Sequence, residues 1–218
     1  ADRFAACLAE LLASGLLRAE ESGILHPTLT GWVAVRHQLS PAAARYLLDL
    51  AALDQTQLLT GFDLLLYHCW DADLQPQLPV AIEAVEVLED QIRTLPSYLL
   101  DAAPPMALPP RACAAGVLMA TLAWSFVQGQ DPTPLSEQLD IYPSDAEVLR
   151  QNLIRQLQAS ADLHAAADPV TDPAARRQRE YYAGPSLYSR LGRLRLQLEY
   201  ELPADAVSLT RLPGCGGR

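Results

Sequence analysis

Hydrophobic positions along this chain recur mostly at helical spacing. Phe4, Leu8, Leu11 and Leu12 form an apolar stripe that stops near Gly15, a residue type suited to ending a helix. Leu16-Leu17-Arg18, the polar Glu20-Glu21-Ser22-Gly23 and then Ile24-Leu25 predict two short strands joined by a turn. Thr28 can cap a helix carrying Trp32, Val33 and His37, and Ser40-Pro41 opens the next with proline in its first turn. Helices plus a small β-wing within about 50 residues predict a winged-helix module, because βαβ units need more room.

Beyond Asp54 the pattern holds no strand signal. Gln55–Trp70 and Val80–Thr94 each predict a helix, and Cys113–Val127 is apolar enough to sit in the middle of a bundle. Within Asp145–Asp162 the leucines 149, 153 and 157 form a seam that leaves Arg150, Gln151, Arg155 and Gln158 to other faces. Leu187, Leu191, Leu194 and Leu198 form a second seam, and the proline-rich stretches 75–79, 104–110 and 131–134 predict loops. The expected fold is mainly α: a winged-helix domain with a small β-wing over 1–52, an α-helical bundle over 53–200 and a tail over 201–218.

Composition narrows the chemistry. Of the 218 residues 50% are hydrophobic and 19% charged, enough for a core and too few charges for a disordered chain. All 16 basic residues are arginine, so this chain has no P-loop lysine and no Schiff-base amine. The chain alone is therefore not expected to hydrolyse ATP, and it is assigned no catalytic residue. The net charge of −10 is concentrated in residues 61–145, which hold twelve acids and two arginines, whereas residues 146–218 hold eight acids and ten arginines. Any nucleic-acid contact should be narrow and lean on the last third, since phosphate contacts supply most non-specific affinity. Cys7, Cys69, Cys113 and Cys215 show neither C-x-x-C nor metal spacing, so reduced, mostly buried thiols in a cytoplasmic protein are expected. No apolar run approaches the roughly 20 residues that span a bilayer, and no membrane partner is expected.

Other clusters read as structural. His68-Cys69-Trp70-Asp71-Ala72-Asp73 ends a helix and enters a loop, with Trp70 in the core and both aspartates in the turn, so no metal site is assigned. His26, His37 and His164 lack a serine or cysteine partner at a telling spacing. Arg176, Arg177 and Arg179 fall in a polar connector after Pro173, and Arg190, Arg193 and Arg195 flank the second leucine seam. The final Leu209–Arg218 resembles the first half of a helix-hairpin-helix, whose Gly214 and Gly216 would offer backbone N–H groups to a phosphate. That motif stops where its second helix should begin and the first residue is not Met, so a piece excised from a longer polypeptide is expected.

Taken in order, these pieces resemble the C-terminal half of the HelQ-type superfamily-two DNA helicases. Leu25-His26-Pro27-Thr28-Leu29-Thr30-Gly31, followed by Ala34, Arg36 and Leu39-Ser40-Pro41, is similar to that family's leucine-x-proline-threonine-x-leucine-glycine run, with Thr30 in place of the usual leucine. Leu11–Leu17 resembles the preceding leucine-rich helix. Trp124-Ser125-Phe126-Val127-Gln128-Gly129 and the loop Leu139–Asp145 resemble the segments before the family's ratchet helix, which falls here on Ala146–Asp162.

The resemblance implies two RecA-like motor domains on the N-terminal side, a winged helix, a ratchet bundle and a helix-hairpin-helix tail. The parent would be an ATP-dependent 3′-to-5′ DNA helicase acting on forked or stalled-replication structures in DNA repair. ATP and Mg²⁺ would belong to the absent motors, with no cofactor here. This chain would guide single-stranded or forked DNA beside its own motors, as a monomer. Many relatives carry an arginine and, two turns on, a tryptophan on the ratchet helix, positions held here by Val148 and Arg155. Arg155 would stack through its guanidinium and Arg150 would supply charge, with Gln151 and Gln158 beside them. An all-helical protein-interaction module without nucleic-acid contact, and the C-terminal part of a related RNA helicase, are the alternatives.

Overall fold

The structure, a computed structural model, describes residues 2–71, 84, 86, 88–102 and 108–208. Among them the chain is mainly helical, with one small two-stranded antiparallel sheet. It divides into two compact units, one built from residues 1–55 and 159–189, the other from 56–158 and 190–218. The expected bundle spans 53–200, whereas residues 159–189 group with the first unit. The reason is a leucine: Leu163 is fully buried in a cluster with Leu16, Ala34, Ala44 and Leu47.

In the first unit α1 (Asp2–Ala13) leads into β1 (Leu17–Ala19) and β2 (Leu25–Pro27), followed by α2 (Leu29–Arg36) and α3 (Pro41–Thr56). The strands pair with Arg18 opposite His26, one residue later than the apolar pattern suggested. The junction between β2 and α2 explains the Pro-Thr-x-x-Gly spacing. The Thr28 hydroxyl donates to the Gly15 carbonyl at 2.7 Å and accepts the Gly31 amide at 3.0 Å, capping α2 while tying it to the end of α1. Thr30 joins the same knot by donating to the Gly15 carbonyl at 3.2 Å. Gly31 packs so close to β1 that an added Cβ would lie 2.1 Å from the Leu16 carbonyl oxygen.

The second unit contains α4 (Gly61–Cys69), α5 (Glu89–Arg93), α6 (Pro110–Val127) and α7 (Thr133–Gln138). It also takes residues 143–158 of α8 (Pro143–Ala167) and most of α10 (Leu187–Tyr200). Gln55–Trp70 is not the single helix the pattern predicted. The chain breaks at 57–60 because Thr60 starts a new helix, its hydroxyl accepting the Asp63 amide while the Asp63 carboxylate accepts the Thr60 amide. The other Asp63 oxygen accepts the amides of Tyr98 and Leu99, both at 3.0 Å, together with the Ser97 hydroxyl. A fully buried carboxylate is thereby satisfied on every side.

Helix α6 packs against α4, and its Leu118, Leu122 and Ala123 are fully buried. By length and composition it could cross a membrane, and 56% of it is buried inside the protein. Leu149, Leu153 and Leu157 of α8 are completely buried, as are Leu191 and Leu198 of α10, so both leucine seams face the core. The predicted loop at 131–134 turns helical from Thr133, and the predicted connector after Pro173 is a helix. Pro134 enters the first turn of α7, and the connector is α9 (Pro173–Ala183), capped by the Asp172 carboxylate on the amides of Ala174 and Ala175. In the Val80–Thr94 prediction the described helical run is 89–93. The loops at 75–79 and most of 104–110, together with the 209–218 hairpin motif, lie outside the described residues.

Candidate nucleic-acid interface

Helix α8 has one buried edge and one open one. Its open edge carries Ser144, Val148, Gln151 and Arg155, all exposed and separated by four, three and four residues, which keeps them on a single face. Val148 and Arg155 therefore share that face, with Gln151 between them. Gln158 continues the line and is half-buried. The Arg155 guanidinium donates to the Asn152 side-chain oxygen within its own helix.

Arg150 points elsewhere. Its side chain is only 12% exposed and donates to both Glu147 oxygens, at 2.7 and 2.8 Å. A second arm donates to the backbone carbonyls of Leu198 at 2.7 Å and Glu199 at 3.3 Å, and lies 3.4 Å from the Glu201 carboxylate. The guanidinium also sits 5.7 Å from the centre of the Phe126 ring. Its hydrogen bonds to Glu147 hold the Arg150 pKa above the usual arginine range, and the same bonds hold the Glu147 carboxyl below its own. Gln151 also donates to Glu147, at 2.8 Å, which fixes its amide beside the open edge. Of the four proposed contacts on this helix, the geometry leaves Gln151, Arg155 and Gln158 along one side and commits Arg150 to the fold.

The Glu147–Arg150 spacing of three residues was a readable sign that this arginine has a partner on its own helix. The carbonyls it closes lie 48 and 49 residues away, and no local pattern announces them. Gly214 and Gly216, the two remaining proposed contacts, lie outside the described residues.

The His68–Asp71 stretch is built into the core. His68 is fully buried with Nδ1 2.6 Å from the Leu64 carbonyl, and burial pushes the Cys69 thiol well above its ordinary pKa. Trp70 lies in the core, as its position suggested, and donates to the Cys113 carbonyl at 3.3 Å. Asp71 is buried and accepts the Gln156 amide at 3.1 Å, while Asp73 lies outside the described residues. Of the three described cysteines only Cys69 is buried; Cys7 is exposed and Cys113 intermediate. His26 pairs with Glu20 at 3.1 Å and His37 with Asp162 at 2.8 Å. Among the described residues no three His, Cys, Asp or Glu side chains come together as a metal ion would need.

Neither a protein-family model nor a curated protein matches this chain.

Proposed function

We propose that this chain is a strand-guiding, non-catalytic portion of a HelQ-type helicase, in which a winged helix and a ratchet bundle serve motor domains on another part of the polypeptide. The observation that carries this reading is the open face of α8. A fully buried leucine seam fixes the helix, and the opposite side presents Val148, Gln151 and Arg155 to solvent. A guanidinium plane beside a side-chain amide can stack on a base and hydrogen-bond to its edge or phosphate. Such a hold is worth about 1–3 kcal/mol per base, enough to resist back-slip and small enough to be broken at each motor step. Arg150 contributes indirectly, by holding the helix.

The knot of Thr28, Gly31, Gly15 and Leu16 supports the winged-helix part of the reading, because it gives the family's Pro-Thr-x-x-Gly spacing a mechanical purpose. A different observation favours the protein-interaction alternative: α2 exposes Leu29 at 66%, Trp32 at 61% and Val35 at 70%. Under the helicase reading that apolar face braces a motor domain.

Fluorescence anisotropy with a labelled single-stranded oligodeoxythymidine tests the proposal. Weak binding that weakens as salt rises, and drops about fivefold or more on Arg155→Ala, supports it. Absence of binding at low salt removes the strand-guiding role and leaves the interaction module. The corresponding oligouridine in the same assay reads the choice between DNA and RNA.

A further inference from the structure

Helix α9 buries none of its residues. It is fastened instead by two of its arginines. Arg176 donates to the carbonyls of Ala165 and Val170 and lies 5.5 Å from the centre of the Tyr188 ring. Arg179 forms a two-pronged bond to Asp168, at 2.5 and 3.1 Å. The remaining face carries Arg177, Gln178, Tyr181 and Tyr182, all exposed, with the tyrosines open to solvent at 82% and 77%. Their rings meet edge to face at 5.1 Å and 86°, so each steadies the other with no help from a core.

We infer that this α9 face is a second stacking contact for single-stranded nucleic acid. Arg177 stands one turn before Tyr181 and Gln178 one turn before Tyr182, so each ring has a polar group on the same helix side. The nearby carboxylates are occupied. Asp168 is held by Arg179, Asp172 caps the helix, and Glu180 accepts the hydroxyls of Ser186 and Ser189. Those bonds leave the carboxylates ionised but turned to their own partners, and among the four side chains that make up the open face Arg177 is the charged one, and it is positive. Aromatic planes beside a guanidinium suit a base and its phosphate, and that charge complementarity selects a polynucleotide strand as the occupant. A chain of net charge −10 repels a polyanion broadly, so a contact of one or two nucleotides is the size it can sustain.

The inference deepens the strand-guiding reading and rests on it. The test uses the 218-residue chain and a fluorescein-labelled oligodeoxythymidine at low salt. The variants are Tyr181→Ala/Tyr182→Ala, Tyr181→Phe/Tyr182→Phe and Arg155→Ala. Loss of both rings weakens binding about tenfold, with an unchanged far-UV spectrum because neither ring supports the core. The phenylalanine pair keeps the original affinity, since stacking needs the ring and not the hydroxyl. If the alanine pair binds like the parent while Arg155→Ala weakens binding, the α9 contact is overturned and the strand-guiding reading stands. If the alanine pair instead alters self-association in size-exclusion chromatography with oligonucleotide affinity intact, the face is a protein contact and the inference is overturned. Absence of oligonucleotide binding by the parent overturns both.

Discussion

The guanidinium of Arg150 lies 2.7 Å from the backbone carbonyl of Leu198, so a cation on α8 closes the carboxyl end of α10. The last carbonyls of a helix have no partner within it and carry the negative end of its dipole, which makes an arginine an effective stopper. Arg150→Ala should lower stability by about 2 kcal/mol, read as a shift in the urea midpoint. Arg150→Lys should recover little of that loss, because one ammonium cannot reach Glu147 and two carbonyls together. Oligonucleotide affinity should fall less than with Arg155→Ala, which separates an arginine that supports the helix from the one proposed to contact the strand.

Gly31→Ala should destabilise the protein even though alanine is the better helix former. Helix propensity favours the substitution by up to about 1 kcal/mol. Against it stands a Cβ that would sit 2.1 Å from the Leu16 backbone oxygen, which cannot rotate away. A net loss of about 2 kcal/mol is expected from the forced separation of α2 and β1, measurable as a lower thermal midpoint. An unchanged midpoint would refute the close approach.

Asp63→Ala removes the carboxylate of the α4 capping box, leaves the Tyr98 amide without its Asp63 acceptor and leaves the buried Leu99 amide with only the Ser97 hydroxyl, at 3.2 Å. The combined cost should be about 3 kcal/mol. Amide hydrogen exchange at Tyr98 and Leu99 should accelerate more than at the α6 core amides, because the Asp63 carboxylate ties the segment 97–99 to α4.

Stability should depend on pH in two windows. Burial lowers the His164 pKa below its ordinary value, opposed in part by a hydrogen bond to the Leu47 backbone and by the Asp54 charge. The unfolded chain therefore binds a proton first as pH falls below about 6.5, and stability declines from there down to the lowered folded value. His164→Gln should flatten that part of the curve. At lower pH, Glu147 and Asp168, both held below their usual values by hydrogen bonds to Arg150 and Arg179, contribute stability above the ordinary carboxylate range. That contribution disappears as pH falls through their folded values. Denaturant titrations between pH 3 and 8 would resolve the two declines.

Part of this fold was readable residue by residue. Leu149, Leu153 and Leu157 announced a buried seam by their spacing alone, and Thr28 announced a helix start by its side-chain chemistry. The break at 57–60 was hidden, because an apolar run on both sides of Thr60 satisfies helical periodicity whether or not the backbone continues. The helix at 173–183 was hidden for the opposite reason, since a segment with no buried face has no hydrophobic period to detect. Its capping aspartate and first-turn proline were the only local signals.

Local chemistry is what the chain dictated unaided: periodicity, caps and turn residues act over a few positions, so α1 through α3, the two leucine seams and the candidate stripe on α8 follow from it. The absence of lysine likewise closes whole classes of chemistry through composition alone. Tertiary packing alone decided that Leu163 joins the cluster of Leu16 and Leu47, and that Arg150 spends its charge on the end of α10. It also left Arg155 in solvent. Those outcomes depend on which surfaces meet across more than a hundred residues in the first case and nearly fifty in the second, and the energy of such a meeting resides in neither segment by itself.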